Sequence, residues 1–180
     1  MKFRFFQIIS LVLILCLALP VPVYSADLQR PQAQTAINFT ILHTNDFHGN
    51  LEASGSNPGA ARVAYKINEV RTAVGAENVL LLDAGDMMQG TLLSNILKGE
   101  PTINYYKTIG YDAVTLGNHE FSNPLEEVLR LVRMGRFQTV GANLRYRDTG
   151  EPLVPPYVIT QVGELRVALF GLVMTDTQNY

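Results

Sequence analysis

INFTILHTNDFHGN, residues 37–50, opens as an apolar run suited to a buried strand and closes on His43, Asn45, Asp46 and His48. Two later stretches repeat that form. Asn78 to Asp83 is a short continuous apolar run, as expected of a strand covered on both faces, and it leads into Asp83-Ala-Gly-Asp86. Tyr111 to Leu116 is strand-like and leads into Gly117-Asn118-His119-Glu120.

Between these runs the apolar period changes to that of a helix. Ala60, Val63, Ala64, Ile67, Val70 and Val74 keep helical spacing, Arg62, Lys66 and Glu69 lie mostly opposite, and Gly75 closes the helix. Residues Gln89 to Gly110 read as two short helices separated by Gly99-Glu100-Pro101. Asn123, Pro124 and Glu126 predict a capped helix start, with Leu125, Val128, Leu129 and Val132 on one face. Phe137 to Ala142 reads as a fourth strand, and residues 157–161 and 165–170 flank Val162-Gly163-Glu164 as a hairpin. The alternation predicts an α/β layered sandwich, a mixed and largely parallel sheet flanked by helices. Its last strand runs almost to Tyr180, so the sheet is expected to be incomplete at the C-terminus.

The first 26 residues stand apart. Lys2 and Arg4 form a positive head, Ile8 to Leu19 is apolar except for Ser10, and Val23-Tyr24-Ser25-Ala26 offers small residues for cleavage. That pattern predicts a secretory signal, residues 1–26, and export to the periplasm or the extracellular medium. The run is too short for the roughly 20 residues of a membrane span, so no stable anchor is expected after cleavage. Residues 27–36 read as a polar tether. The lone cysteine, Cys16, falls within the signal, so the expected mature chain has no disulfide and no thiolate metal site. Setting aside Lys2 and Arg4 leaves 12 basic against 16 acidic residues, a net charge of about −4. With no basic stripe, no nucleic-acid partner is expected.

The carboxyl ends of strands line the ligand crevice of open α/β sheets, so the three polar clusters can converge. Taken singly, each fits an ordinary loop, turn or helix cap. Together they offer carboxylate oxygen, imidazole nitrogen and amide oxygen, a donor set suited to Zn, Mn or Fe. A shared carboxylate can bridge two cations in the clamp used for phosphate-ester hydrolysis. Gly49, Gly85 and Gly117 beside them allow tight turns and close approach.

ILHTNDFHGN, LLLDAGDMMQGT, YDAVTLGNHEF and the GAN at 141–143, with GAARVAYKINEVR and FGLV, resemble the successive motifs of the secreted bacterial 5′-nucleotidase family of calcineurin-like metallophosphoesterases. The likeness spans about residues 37–174. It implies two divalent ions: Asp46 and His48 on the first, Asp86 bridging, and Asn118 on the second. It implies that His119 acts catalytically on the phosphoryl group or the leaving oxygen, and that Asn143 faces the substrate phosphate. His43 is expected to be a buried packing or supporting histidine rather than a ligand. The implied reaction is hydrolysis of phosphate monoesters of nucleotides. A nucleotide sugar, a cyclic nucleotide, a sulfur oxyanion, or a non-catalytic metal-binding role are the alternatives.

Two departures qualify the likeness. Family members commonly carry Asp three residues after the catalytic histidine, and here that position is Ser122. The family also supplies further metal-binding histidines downstream, whereas no histidine follows His119. Residues 37–180 are therefore expected to be the truncated N-terminal part of a metallophosphoesterase domain, inactive or weak by itself.

Overall fold

The computed structural model describes residues 36–175. The expected signal segment and residues 27–35 of the tether lie outside the described residues. Strands β1 (Thr40–Thr44), β2 (Val79–Asp83), β3 (Ala113–Thr115) and β4 (Gln138–Val140) form one parallel sheet in that order. Helix α1 (Gly59–Val74) joins β1 to β2, α2 (Leu92–Ile96) and α3 (Glu100–Ile109) join β2 to β3, and α4 (Leu125–Gly135) joins β3 to β4. Strands β5 (Tyr157–Val162) and β6 (Leu165–Phe170) pair antiparallel as a second, two-stranded sheet. The fold is the expected α/β arrangement, with a parallel sheet flanked by helices.

Packing explains the arrangement. Leu81 of β2 and Val114 of β3 meet Ile67 of α1, Ile103 and Tyr106 of α3, and Val128 and Leu131 of α4 in one apolar core. Burying such side chains contributes roughly 1.5–3 kcal/mol each, enough to fix which helix faces turn inward. Gly75 ends α1 at φ +86°, a conformation a side chain would oppose. Register then sets the site: Thr44 stands opposite Asp83, and Asp83 opposite Val114. The strands stop nearly level, and their exit loops start side by side.

Three local expectations are corrected. The first strand begins at Thr40 rather than Ile37. Asn123 does not cap α4; Pro124 occupies that position, and the Asn123 N–H is taken by the Glu120 carbonyl at 3.2 Å. A 3-10 turn over His119–Ser122 ends there and claims the residue first. His43 is exposed rather than buried, because alternation along β1 turns Leu42 toward the core and His43 to the opposite sheet face. There it lines a groove with Leu82, Thr115 and Leu169.

Candidate metal centre

The loops after β1 and β2 are laced together by main-chain hydrogen bonds. Ala84 N–H donates to Thr44 O at 2.9 Å, Asp46 to Gly85 at 3.0 Å, His48 to Asp86 at 2.9 Å and Gly49 to Met87 at 2.9 Å. Within this lacing Asp46, His48 and Asp86 take φ of +52°, +50° and +58°. Left-handed backbone is uncommon for residues with a side chain, although Asp and His tolerate it better than most. Such strain costs roughly 1–3 kcal/mol per residue and persists where neighbouring structure over-determines it. Three of the expected site residues share it.

The loop after β3 packs against them through glycine. A Cβ on Gly85 would lie 2.5 Å from Gly117 N, and one on Gly117 would lie 2.6 Å from Asp86 N. The loops therefore touch backbone to backbone. Glu120 fastens that contact. Its side chain is fully buried, with Oε1 accepting the N–H of Met87 (2.8 Å) and Met88 (3.2 Å) and Oε2 those of Asp86 (2.9 Å) and Gly117 (2.7 Å). Burial pushes its pKa up, against the opposing pull of those N–H groups. No sequence signal marked this role, because an acid at the start of a turn gives no sign of burial.

Beneath the loops lies a second buried carboxylate. Asp83 accepts from Thr44 Oγ1 at 2.5 Å, from Tyr106 OH at 2.8 Å and from Gly85 N–H at 2.8 Å. Burial dominates and raises its pKa from the ordinary 3.8 to about 6. The Tyr106 hydroxyl is pushed up as well, by burial and then by the Asp83 charge. Tyr111 OH lies 2.8 Å from Thr44 Oγ1, so the network ties β1, β2 and the end of α3 together.

On this platform His48, Asp86 and His119 bring one nitrogen or oxygen each to within 4.8 Å of one another. His48 Nε2 is 3.8 Å from Asp46 Oδ1, and the His48 and His119 rings stand edge to face at 4.9 Å between centroids. Asp86 Oδ1 accepts the His119 main-chain N–H at 2.9 Å. Both histidines use Nδ1 on Gln89: His48 on its main-chain oxygen at 2.5 Å, His119 on its side-chain Oε1 at 3.0 Å. Imidazoles braced at one nitrogen beside a carboxylate suit a divalent cation, and these residues fit one.

The remaining expected residues stand differently. Asn118 is half-buried at the head of the 3-10 turn, with its side-chain amide making no hydrogen bond among the described residues. Asn143 is exposed after β4, with its amide committed at both ends to Val173: Nδ2 donates to O at 2.7 Å and Oδ1 accepts from N–H at 3.0 Å. Ser122 is exposed and makes no hydrogen bond to His119 among the described residues.

Residues 39–167 match the family model described as calcineurin-like phosphoesterase. The chain is 36% identical over 156 residues to a 5′-nucleotidase of Vibrio cholerae, covering 85% of this chain and 28% of that protein. It is also 36% identical over 157 residues to the snake venom 5′-nucleotidase of Naja atra, covering 79% and 29%. Among solved structures, the 5′-nucleotidase precursor of Thermus thermophilus superposes with a TM-score of 0.66 at 34% identity, over 77% of this chain and 29% of that one. The chain spans under a third of the length of these relatives. With the whole four-stranded parallel sheet and all three strand-end loops inside the matched span, the chain belongs to the calcineurin-like phosphoesterase family, a family that uses divalent metals.

Proposed function

We propose that the chain carries the metal-binding part of an exported nucleotidase that hydrolyses phosphate monoesters of nucleotides. The observation that carries this reading is the convergence of His48, Asp86 and His119 from the ends of three successive parallel strands. Its support is that two relatives at 36% identity are 5′-nucleotidases. Export is supported by the segmented pattern of residues 1–26 and by the venom source of one relative.

In this reading Asp46 and His48 would hold a first divalent ion, Asn118 would hold a second, and Asp86 would serve both. Bound divalent ions of the Zn, Mn or Fe kind supply polarisation of a phosphoryl oxygen and activation of water. His119 faces the phosphoryl group or the leaving oxygen and carries the proton that the leaving oxygen needs. Asn143 orients the substrate phosphate, a role that requires its amide to leave Val173 or to use its remaining hydrogen and lone pair.

Calorimetric titration of the full chain with Mn²⁺ or Zn²⁺, followed by phosphate release from a nucleoside 5′-monophosphate, tests the reading. The expected result is binding of divalent ions and phosphate release that depends on them. Absence of metal binding overturns it, and faster turnover of a nucleotide sugar or a sulfur oxyanion replaces the substrate.

A further inference from the structure

Gln89 reaches both histidines of the centre from one position, one through its main chain and one through its side chain. A carbonyl oxygen only accepts, so a hydrogen bond from His48 Nδ1 to Gln89 O requires hydrogen on Nδ1. Gln89 Oε1 makes the same demand of His119 Nδ1. The neighbouring backbone is fixed: Gly90 N–H donates to Asn95 Oδ1 at 2.9 Å and Thr91 N–H to His48 O at 3.1 Å. Ser122, three residues after His119, is exposed and gives it no partner among the described residues.

We infer that Gln89 is a positioning residue that holds His48 and His119 in the Nδ1–H tautomer, its main-chain oxygen orienting His48 and its side-chain amide orienting His119. Nε2, on the far side of each ring, then keeps the lone pair. For His48 that leaves a ligating nitrogen. For His119 it means that any proton taken up resides on Nε2 and passes from there to a departing oxygen, the ring returning neutral with Nδ1–H retained. An amide sets this orientation without adding negative charge beside the carboxylates of the centre. The consequence for His119 rests on the nucleotidase reading, but the tautomers themselves do not.

The chain holds three histidines, His43, His48 and His119, so long-range ¹⁵N–¹H correlation on histidine-labelled protein can read each tautomer. The metal-free full chain is measured at about pH 8.5, where an ordinary imidazole is neutral, with His43→Gln to aid assignment. The expected spectrum has His48 and His119 both as Nδ1–H. Gln89→Ala should release His119 toward Nε2–H, the form a free imidazole prefers, and leave His48 unmoved because its partner is main chain. Gln89→Glu, which keeps an acceptor, should restore Nδ1–H on His119. A wild-type His119 in the Nε2–H form overturns the inference, as does a His119 that stays Nδ1–H in Gln89→Ala. If Gln89→Ala perturbs both histidines, Gln89→Glu decides: Nδ1–H on both upholds the inference, and its loss from His119 overturns it. A wild-type chain that releases no phosphate from nucleotides would count against the nucleotidase reading while leaving the tautomer result standing.

Discussion

Asp86 and Glu120 brace each other's loops: Glu120 Oε2 accepts the Asp86 main-chain N–H at 2.9 Å, and Asp86 Oδ1 accepts the main-chain N–H of His119 at 2.9 Å. The exits of β2 and β3 are thus cross-tied in both directions, next to the glycines that let them touch. Position in the centre is set by this pair as much as by the strands.

Replacing Glu120 by Gln tests the brace. The carboxylate accepts four main-chain N–H groups, whereas a glutamine turns an NH₂ toward two of them. Buried donors left unpaired cost about 1–3 kcal/mol each. Glu120→Gln is expected to lower stability by roughly 2–4 kcal/mol in urea unfolding and to weaken Mn²⁺ binding at least about tenfold. Stability within about 0.5 kcal/mol of wild type would show that the loops hold without Glu120.

Asp83 predicts a pH dependence. A carboxyl with a folded pKa of about 6, above its ordinary 3.8, binds its proton more tightly in the folded chain. Stability from this group is therefore greatest at low pH and is lost as pH rises from 3.8 to about 6, by about 3 kcal/mol in all. Glu120 shifts in the same direction, so the difference between wild type and Asp83→Asn isolates Asp83. Thermal unfolding of the metal-free proteins across this window should show wild type losing ground to Asp83→Asn as pH rises. Parallel curves would remove Asp83 as the source.

Strain at the centre predicts an exchange between stability and function. Asp46 is exposed at φ +52°, where glycine is at ease and aspartate is not. Its carboxylate bonds the Asn45 amide next door and lies 3.8 Å from His48 Nε2, so little of the fold depends on it. Asp46→Gly is expected to leave metal-free stability unchanged or raised by up to about 1 kcal/mol while metal affinity falls at least about tenfold. Differential scanning calorimetry with and without Zn²⁺ measures both. A metal-free protein less stable by more than about 1 kcal/mol would show that Asp46 is structural.

The element order and the convergence of three strand ends were legible in the sequence because each depends on local period and on the rule that crevices form at carboxyl ends. His48, Asp86 and His119 stand in the polar clusters that follow these strands, and the family resemblance implies their roles. What stayed hidden depends on contacts between distant positions. Glu120 reaches residues more than thirty positions earlier, and Gln89 joins histidines 41 positions before it and 30 after it. Neither residue type announces such a partner. His43 reads as buried in the sequence because an apolar run gives no clue to which face of an edge strand is covered. Asn143 was placed by motif, and its commitment to Val173 arises only once the hairpin folds back.

Gly117→Ala addresses the closeness of the loops directly. An added Cβ would sit 2.6 Å from Asp86 N and against its carboxylate, so the exits of β2 and β3 must separate. Overpacking of this kind costs about 1–3 kcal/mol. The larger consequence falls on geometry, because Asp86 moves relative to His119 while His48, bonded to the β2 loop, moves with Asp86. Metal affinity should therefore fall by more than the stability loss alone accounts for, and the His119 resonances should shift more than those of His48. Gly85→Ala meets the same contact from the other side, at 2.5 Å from Gly117 N, and carries the added strain of φ +101°. It should be the more destabilising of the two, and the reverse order would mean that the loops open more easily than their backbone contact implies.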